Sequence, residues 1–312
     1  LRNWCIWLGI QIVSNIVLYL FSLLILIVDS TIISERLQSH FINQQYHSIS
    51  EVIAQLWCIQ AQDTHQSPRV LASRCNPEIT YADFVQAIAD KQLVRTRPMR
   101  GTLHYVDPRY VRIFLEHCAT KTLTWFKKRR EFLWISDQQA DQAIMIMKNA
   151  LTGGKTLTRS QMKQLLTDAN LCKDGQRVYH LTCYAGTLWI ICFGPPEGKE
   201  DTFVLLDEWI PETRAYTKQE SLTQIARIYF TGHSPATIED FCRRTGLSKT
   251  EAKIGIQWLG TELHQIEYWW KVYYNIINNH PWKQKQEKHG IQLLWWFDEY
   301  FWCWRSNAAK IN

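Results

Sequence analysis

The sequence predicts an α+β fold of tandem winged-helix (helix-turn-helix) modules, mostly helical with β-hairpin wings. Three observations predict it. Capped amphipathic helices lead repeatedly into pairs of short apolar strands. The first strand pair closes on Arg100-Gly101, a tight-turn dipeptide. Near Gly246 a short glycine turn separates two capped helices, which is the punctuation of a helix-turn-helix.

Taken in order, Trp4 to Val28 is uncharged and apolar, long enough to span a bilayer as a helix. Residues 1–31 therefore read either as a membrane anchor or as an extension foreign to the working protein. From Ser34, a plausible N-cap, to Gln62 the pattern predicts two helices. The second starts at Ser50 and runs through SEVIAQLWCIQ, with Val52, Ile53, Leu56 and Ile59 on one face. Thr80 caps a third helix that carries Phe84, Ala87 and Ile88 on one side. Leu93 to Thr96 and Thr102 to Val106 are predicted strands, and a helix starts at Asp107-Pro108 and runs through His117. These elements define a first module over residues 32–150.

A second module, 151–215, has a helix capped by Thr158, a helix over Gln176 to Gly186, and strands Leu188 to Phe193 and Thr202 to Leu206 around the turn GPPEGKED. A third, 216–312, begins with SLTQIARIYF. It continues through a helix capped by Thr237 and another capped by Ser248, then a strand near Glu262 to Trp269. Its end, which includes LLWWFDEYFWCW, is expected to be truncated. The repeat is one of element order, not of residue identity.

Composition narrows the function. A chain of 312 residues allows two or three modules, and a net charge of +6 favours an anionic partner. Nine scattered cysteines, with no Cys-x-x-Cys pair, argue against a disulfide framework or a structural zinc site and fit a reducing compartment. No phosphate-cradling P-loop, G-x-G-x-x-G, His-Glu-x-x-His or Gly-x-Ser-x-Gly occurs.

The residues that carry chemistry concentrate between Gln60 and His104. Gln60 and Gln62 stand one residue apart, beside Asp63. From spacing alone such a pair reads as a solvated helix end. Arg95 and Arg97 share a strand face. With Arg100 they make a basic edge that either meets phosphates or is simply solvated. His104 follows on the opposite strand as a near-site candidate. Lys127, Lys128, Arg129 and Arg130 form a cluster beside Trp125 and Phe126; phosphate contact and a solvated helix face stand equal. Arg243, Arg244 and Lys249 surround the helix-turn-helix turn, with recognition-helix duty or a scaffold role both open.

Together QAQD (Gln60 to Asp63), PRVLASR, LVRTRPMRGTLH, FGPPEGKEDTFVLLDEWIP, ARIYFTGHSPATIEDFCRRTGLS and FDEY resemble the winged-helix DNA-binding family that includes the AlkZ-type DNA glycosylases. The resemblance covers nearly everything from about Ile33 onward. It implies a monofunctional DNA glycosylase excising bulky N-alkylated purines, interstrand cross-links among them, with Gln60 and Gln62 as the catalytic pair. On that reading the basic groups Arg95, Arg97, Arg100, Lys127, Lys128, Arg129, Arg130, Arg243, Arg244 and Lys249, singled out above by charge and position, are expected to bind DNA. It further implies double-stranded DNA as partner, no metal or organic cofactor, a monomer, and a cytoplasmic, nucleoid-associated location unless residues 4–28 anchor the chain. The alternative is a non-catalytic winged-helix DNA-binding regulator.

Overall fold

A computed structural model describes residues 32–276, apart from 41, 43–45, 65, 76–78, 173, 212–213 and 269. The apolar segment 1–31 and the stretch with FDEY therefore lie outside the described residues. Helix α1 covers residues 32–39, so Ser34 lies inside it rather than capping it. Helix α2 (Ile49–Leu56) is capped by the Ser48 hydroxyl, not by Ser50, and it buries Val52, Ile53 and Leu56. It stops where Trp57 takes φ 55°, and the chain continues as strand β1 (Cys58–Gln60). The expected helix over SEVIAQLWCIQ is thus a helix followed by a strand. A bulky residue at positive φ cannot extend a helix, and β1 finds hydrogen-bond partners in a sheet instead.

Helix α3 (Ser67–Ala72) and helix α4 (Tyr81–Ala89) follow. Thr80 caps α4 in a reciprocal capping box with Asp83, as its spacing predicts. Strands β2 (Val94–Met99) and β3 (Thr102–Val106) form the expected hairpin. Arg100 and Gly101 both sit at positive φ (53° and 71°), the backbone a two-residue turn requires. Next come α5 (Val111–Cys118), α6 (Thr120–Phe132) and α7 (Asp137–Leu151), the last with a Ser136–Gln139 capping box and no counterpart in the expected order.

Strand β4 (Leu157–Thr158), helix α8 (Arg159–Asp168) and helix α9 (Gly175–Thr187) lead to β5 (Ile191–Glu197) and β6 (Glu200–Leu205). These two strands reach further into GPPEGKED than its composition suggests. Their ladder is interrupted between Gly194 and Glu197, so Pro195 and Pro196 occupy an irregularity where no ladder donor is needed. After the short α10 (Leu206–Trp209), helices α11 (Lys218–Gly232), α12 (Ile238–Thr245) and α13 (Lys249–Leu259) precede the hairpin β7 (Leu263–Tyr268) and β8 (Lys271–Ile276). Thr237 and Ser248 cap α12 and α13, and Gly246 closes α12 at φ 82°. Helices α11 and α13 pack so closely that a Cβ on Gly255 would lie 2.4 Å from the Leu222 carbonyl oxygen.

The first two hairpins join through the Arg95–Phe193 pair into one six-stranded sheet, ordered β1-β3-β2-β5-β6-β4. Directly opposed residues of antiparallel strands share a face. Cys58, Val94 and Val106 line one face with Gln60, Thr96 and His104. That face belongs to a core with Phe114, Leu222, Tyr229 and Phe241 from α5, α11 and α12. Ile59, Arg95, Tyr105 and Phe193 line the other face, where Phe84 of α4 meets Tyr105 edge-on at 5.1 Å. Helix α9 and β6 build a further core on that side around Tyr184, Ile191 and Phe203.

Candidate functional site

Gln60 ends β1 and is buried; Gln62, two residues on, is exposed. The backbone between them is held from two sides. The Ala61 N–H donates to the Leu103 carbonyl at 2.7 Å, and the Ala61 carbonyl accepts from Arg95 Nη2 at 3.2 Å. The Gln62 side-chain oxygen accepts the Leu103 N–H at 3.1 Å. Asp63 serves the start of α3 instead. Its carboxylate accepts the Gln66 N–H at 3.0 Å, and its carbonyl accepts from the Ser67 hydroxyl.

Beneath Gln60, His104 is fully buried. Its Nδ1–H donates to the Thr102 carbonyl at 3.0 Å, which leaves Nε2 to accept from Arg244 Nη1 at 3.1 Å. Burial first, then the guanidiniums of Arg244, Arg100 and Arg97, hold its pKa well below 6.5. The imidazole is therefore neutral at physiological pH, and its surroundings are positive. A neutral histidine with both nitrogens engaged does not serve as a proton donor to a substrate. His104 instead orients Arg244, whose Nη2 also donates to Cys58 Sγ at 3.2 Å.

Four of the arginines assigned to DNA are buried and internally bonded. Arg95 pairs with Asp201 at 2.6 Å and lies over the Phe193 ring. Arg97 donates to the Gly101 carbonyl at 2.7 Å and to the Tyr179 hydroxyl at 3.2 Å. Arg130 pairs with Asp137 at 2.7 Å over the Tyr184 ring, and Arg244 is the His104 partner just described. The expectation treated β2 as an exposed edge. It lies between β3 and β5, so its side chains meet packed layers on both faces. Arg130 and Arg244 fall on the inward sides of α6 and α12.

The cations that do face outward are Lys127 and Lys128, with Arg129 half-buried over Trp125 and Arg100 half-buried at the hairpin turn. Arg243 reaches Asp240 at 3.4 Å, and Lys249 reaches Glu239 at 2.9 Å at the surface. Gly101 abuts Thr122, so α6 adjoins the first hairpin at its turn, whereas Gly246 of the α12–α13 turn abuts the Cys118 carbonyl at the end of α5.

Two residues that carry this geometry have no signature in the sequence. Asp201 anchors Arg95 from a strand about a hundred positions away, and Thr96 opposes His104 across the sheet. Neither has a local signal; both depend on which hairpins pair. Beside the hairpin lie two adjoining cavities of about 180 and 250 Å³ that share Arg97, Gly175, Tyr179 and Cys183. No helix among the described residues is long and apolar enough to cross a membrane.

The family model described as "DNA glycosylase AlkZ-like" matches residues 53–309. An interstrand DNA cross-link repair glycosylase from Streptomyces sahachiroi is 26% identical over an alignment of 288 residues, which covers 85% of this chain and 74% of that protein. The solved structure of the Streptomyces sahachiroi DNA glycosylase AlkZ is similar in fold, with a TM-score of 0.65 at 23% identity. The similarity covers 78% of this chain and 68% of that one.

Proposed function

Because the chain belongs to the AlkZ-like DNA glycosylase family, we propose that it is a monofunctional DNA glycosylase that releases bulky N-alkylated purines, cross-linked ones among them, with Gln60 and Gln62 as the catalytic pair. One observation carries the assignment of the pair. The peptide between the two glutamines is clamped on both sides, by Leu103 of β3 and by Arg95 of β2, which pre-positions two amides at one strand end.

The chemistry asks little of a strong acid or base. An N-alkylated purine is already cationic, so the bond from C1′ to the base nitrogen breaks with both electrons leaving on a neutral base. The sugar is left as an oxocarbenium-like cation. A water molecule attacks C1′ and releases its proton to solvent. A glutamine amide offers a carbonyl oxygen that accepts a hydrogen bond from this water and N–H donors toward sugar or phosphate. Neutral amides orient the water without adding charge to a strand end whose neighbour His104 already feels the positive fields of Arg244 and Arg100. That field draws the phosphates of the substrate strand. An undamaged base lacks the leaving-group activation and stays attached.

In this reading double-stranded DNA is the substrate, and Arg100, Lys127, Lys128, Arg129, Arg243 and Lys249 meet its backbone. Arg95, Arg97, Arg130 and Arg244 shape the site from inside. Modules over 32–150, 151–215 and 216–312 cradle the duplex around a monomer. The test is to incubate purified protein with duplex DNA bearing N7-alkylguanine and count abasic sites. Gln60→Ala and Gln62→Ala should each lower release by about 10²-fold, the effect of removing one positioned polar group. Absence of abasic sites above background refutes the enzyme and leaves the DNA-binding regulator in its place.

A further inference from the structure

The larger of the two cavities beside the hairpin lies between α6 and α9 and is walled by Trp125, Tyr179, His180, Arg97, Arg129 and Gln176. Trp125 and Tyr179 are 53% and 52% exposed, so both rings are open to solvent at the cavity. Each is backed by a guanidinium, Arg129 at 5.6 Å from the Trp125 ring and Arg97 at 5.5 Å from the Tyr179 ring. His180 forms part of the wall and is only 2% exposed. Phe126 meets it edge-on at 5.3 Å, yet neither of its ring nitrogens has a hydrogen-bond partner among the described residues. A buried polar group left so is expected to meet a ligand or water.

We propose that this cavity is a nucleobase subsite, which holds one base of the DNA outside the duplex stack. The proposal rests on the reading of DNA as substrate. The chemistry of the walls selects the ligand class. Two open aromatic rings offer stacking surface to a planar heterocycle. A neutral imidazole offers one donor and one acceptor, and the Gln176 amide offers both again, which matches the edge of a base. Burial and the nearby guanidiniums of Arg130 and Arg129 push the His180 pKa down to about 4, so the ring stays neutral. The outward Lys127 and Lys128 on α6, with Arg129, suit the phosphates on either side of that base. A volume of about 250 Å³ falls below the range of roughly 300–1,000 Å³ typical of drug-sized ligands and fits a single ring system.

Fluorescence anisotropy on a labelled DNA hairpin tests this, with one bulged nucleotide compared against the same hairpin carrying a bulged abasic residue. The base-bearing hairpin should bind about tenfold or more tightly, the effect of one stacked base. Trp125→Ala, an exposed site whose change spares the core, should erase the preference while affinity for the abasic hairpin holds. His180→Phe keeps the packing and should flatten differences among the four bulged bases. Equal affinity of the wild-type protein for both hairpins overturns the subsite, as does an undiminished preference in Trp125→Ala. Abasic-site production by the wild-type protein on N7-alkylguanine duplex is measured in parallel. A protein that prefers the bulged base but releases none keeps the subsite and loses the glycosylase reading. One that releases base without the preference does the reverse, and one that shows neither the preference nor base release loses both.

Discussion

Replacing Asp201 by Asn isolates the contact that ties the two hairpins to the glutamine pair. Asp201 accepts from Arg95 at 2.6 Å and from Arg159 at 2.9 Å, with the Arg95 side chain 7% exposed and the Asp201 side chain 19% exposed. The amide keeps the shape of the carboxylate and removes its charge. Arg95 then remains inside with the Ala61 carbonyl as an acceptor, and its Nε already lacks a partner among the described residues. Removing one partner of a buried pair costs about 3–5 kcal/mol. Partial exposure of Asp201 screens some of that, so about 2–3 kcal/mol is expected. At roughly 2–4 °C per kcal/mol for a chain of this class, the melting temperature should fall by about 5–10 °C. Thermal denaturation followed by circular dichroism reads this directly. Base release should fall as well, because Arg95 holds the peptide between Gln60 and Gln62. The double variant Arg95→Met with Asp201→Asn should recover part of the loss, since an apolar replacement leaves no buried cation. A shift of under about 1 °C in Asp201→Asn, or a double variant worse than the sum of the two singles, would refute the reasoning.

Other perturbations follow the same logic. Gly255→Ala should destabilise by about 2 kcal/mol in chemical denaturation, because the helix-propensity gain of about 1 kcal/mol is outweighed by the Cβ driven against the Leu222 carbonyl. His40, His104 and His233 are held well below pKa 6.5, chiefly by burial, and His180 is pushed down to about 4. The unfolded chain therefore binds more protons than the folded one below pH 6.5. Stability should be full above that pH and fall as pH drops, by about 1.4 kcal/mol per pH unit for each such histidine, with the His180 share exhausted near pH 4. Unfolding midpoints across pH 4 to 8 that stay flat would contradict the neutral assignments. Lys127→Ala with Lys128→Ala should reduce the slope of log affinity against log salt by about 2 without changing base selectivity.

Local signals carried the helices well. Thr80, Thr158, Thr237 and Ser248 each cap a helix as their spacing implies, and Arg100-Gly101 turns the first hairpin, because caps and tight turns are settled within three or four residues. The basic surplus was visible too, whereas the spacing of Gln60 and Gln62 alone reads as a solvated helix end and only the family resemblance singles the pair out. What lay beyond local reading was the company those residues keep. Whether CIQ continues a helix or joins a sheet depends on β3, more than forty positions away. Whether Arg95 greets solvent or braces Ala61 depends on β5 and β6 closing over β2, and Arg244 turns inward because α12 packs on the same sheet. A guanidinium reads alike in a sequence wherever it ends up. Burial and partners come only from long-range packing, and here packing decides which cations are bonded inside and which remain at the surface.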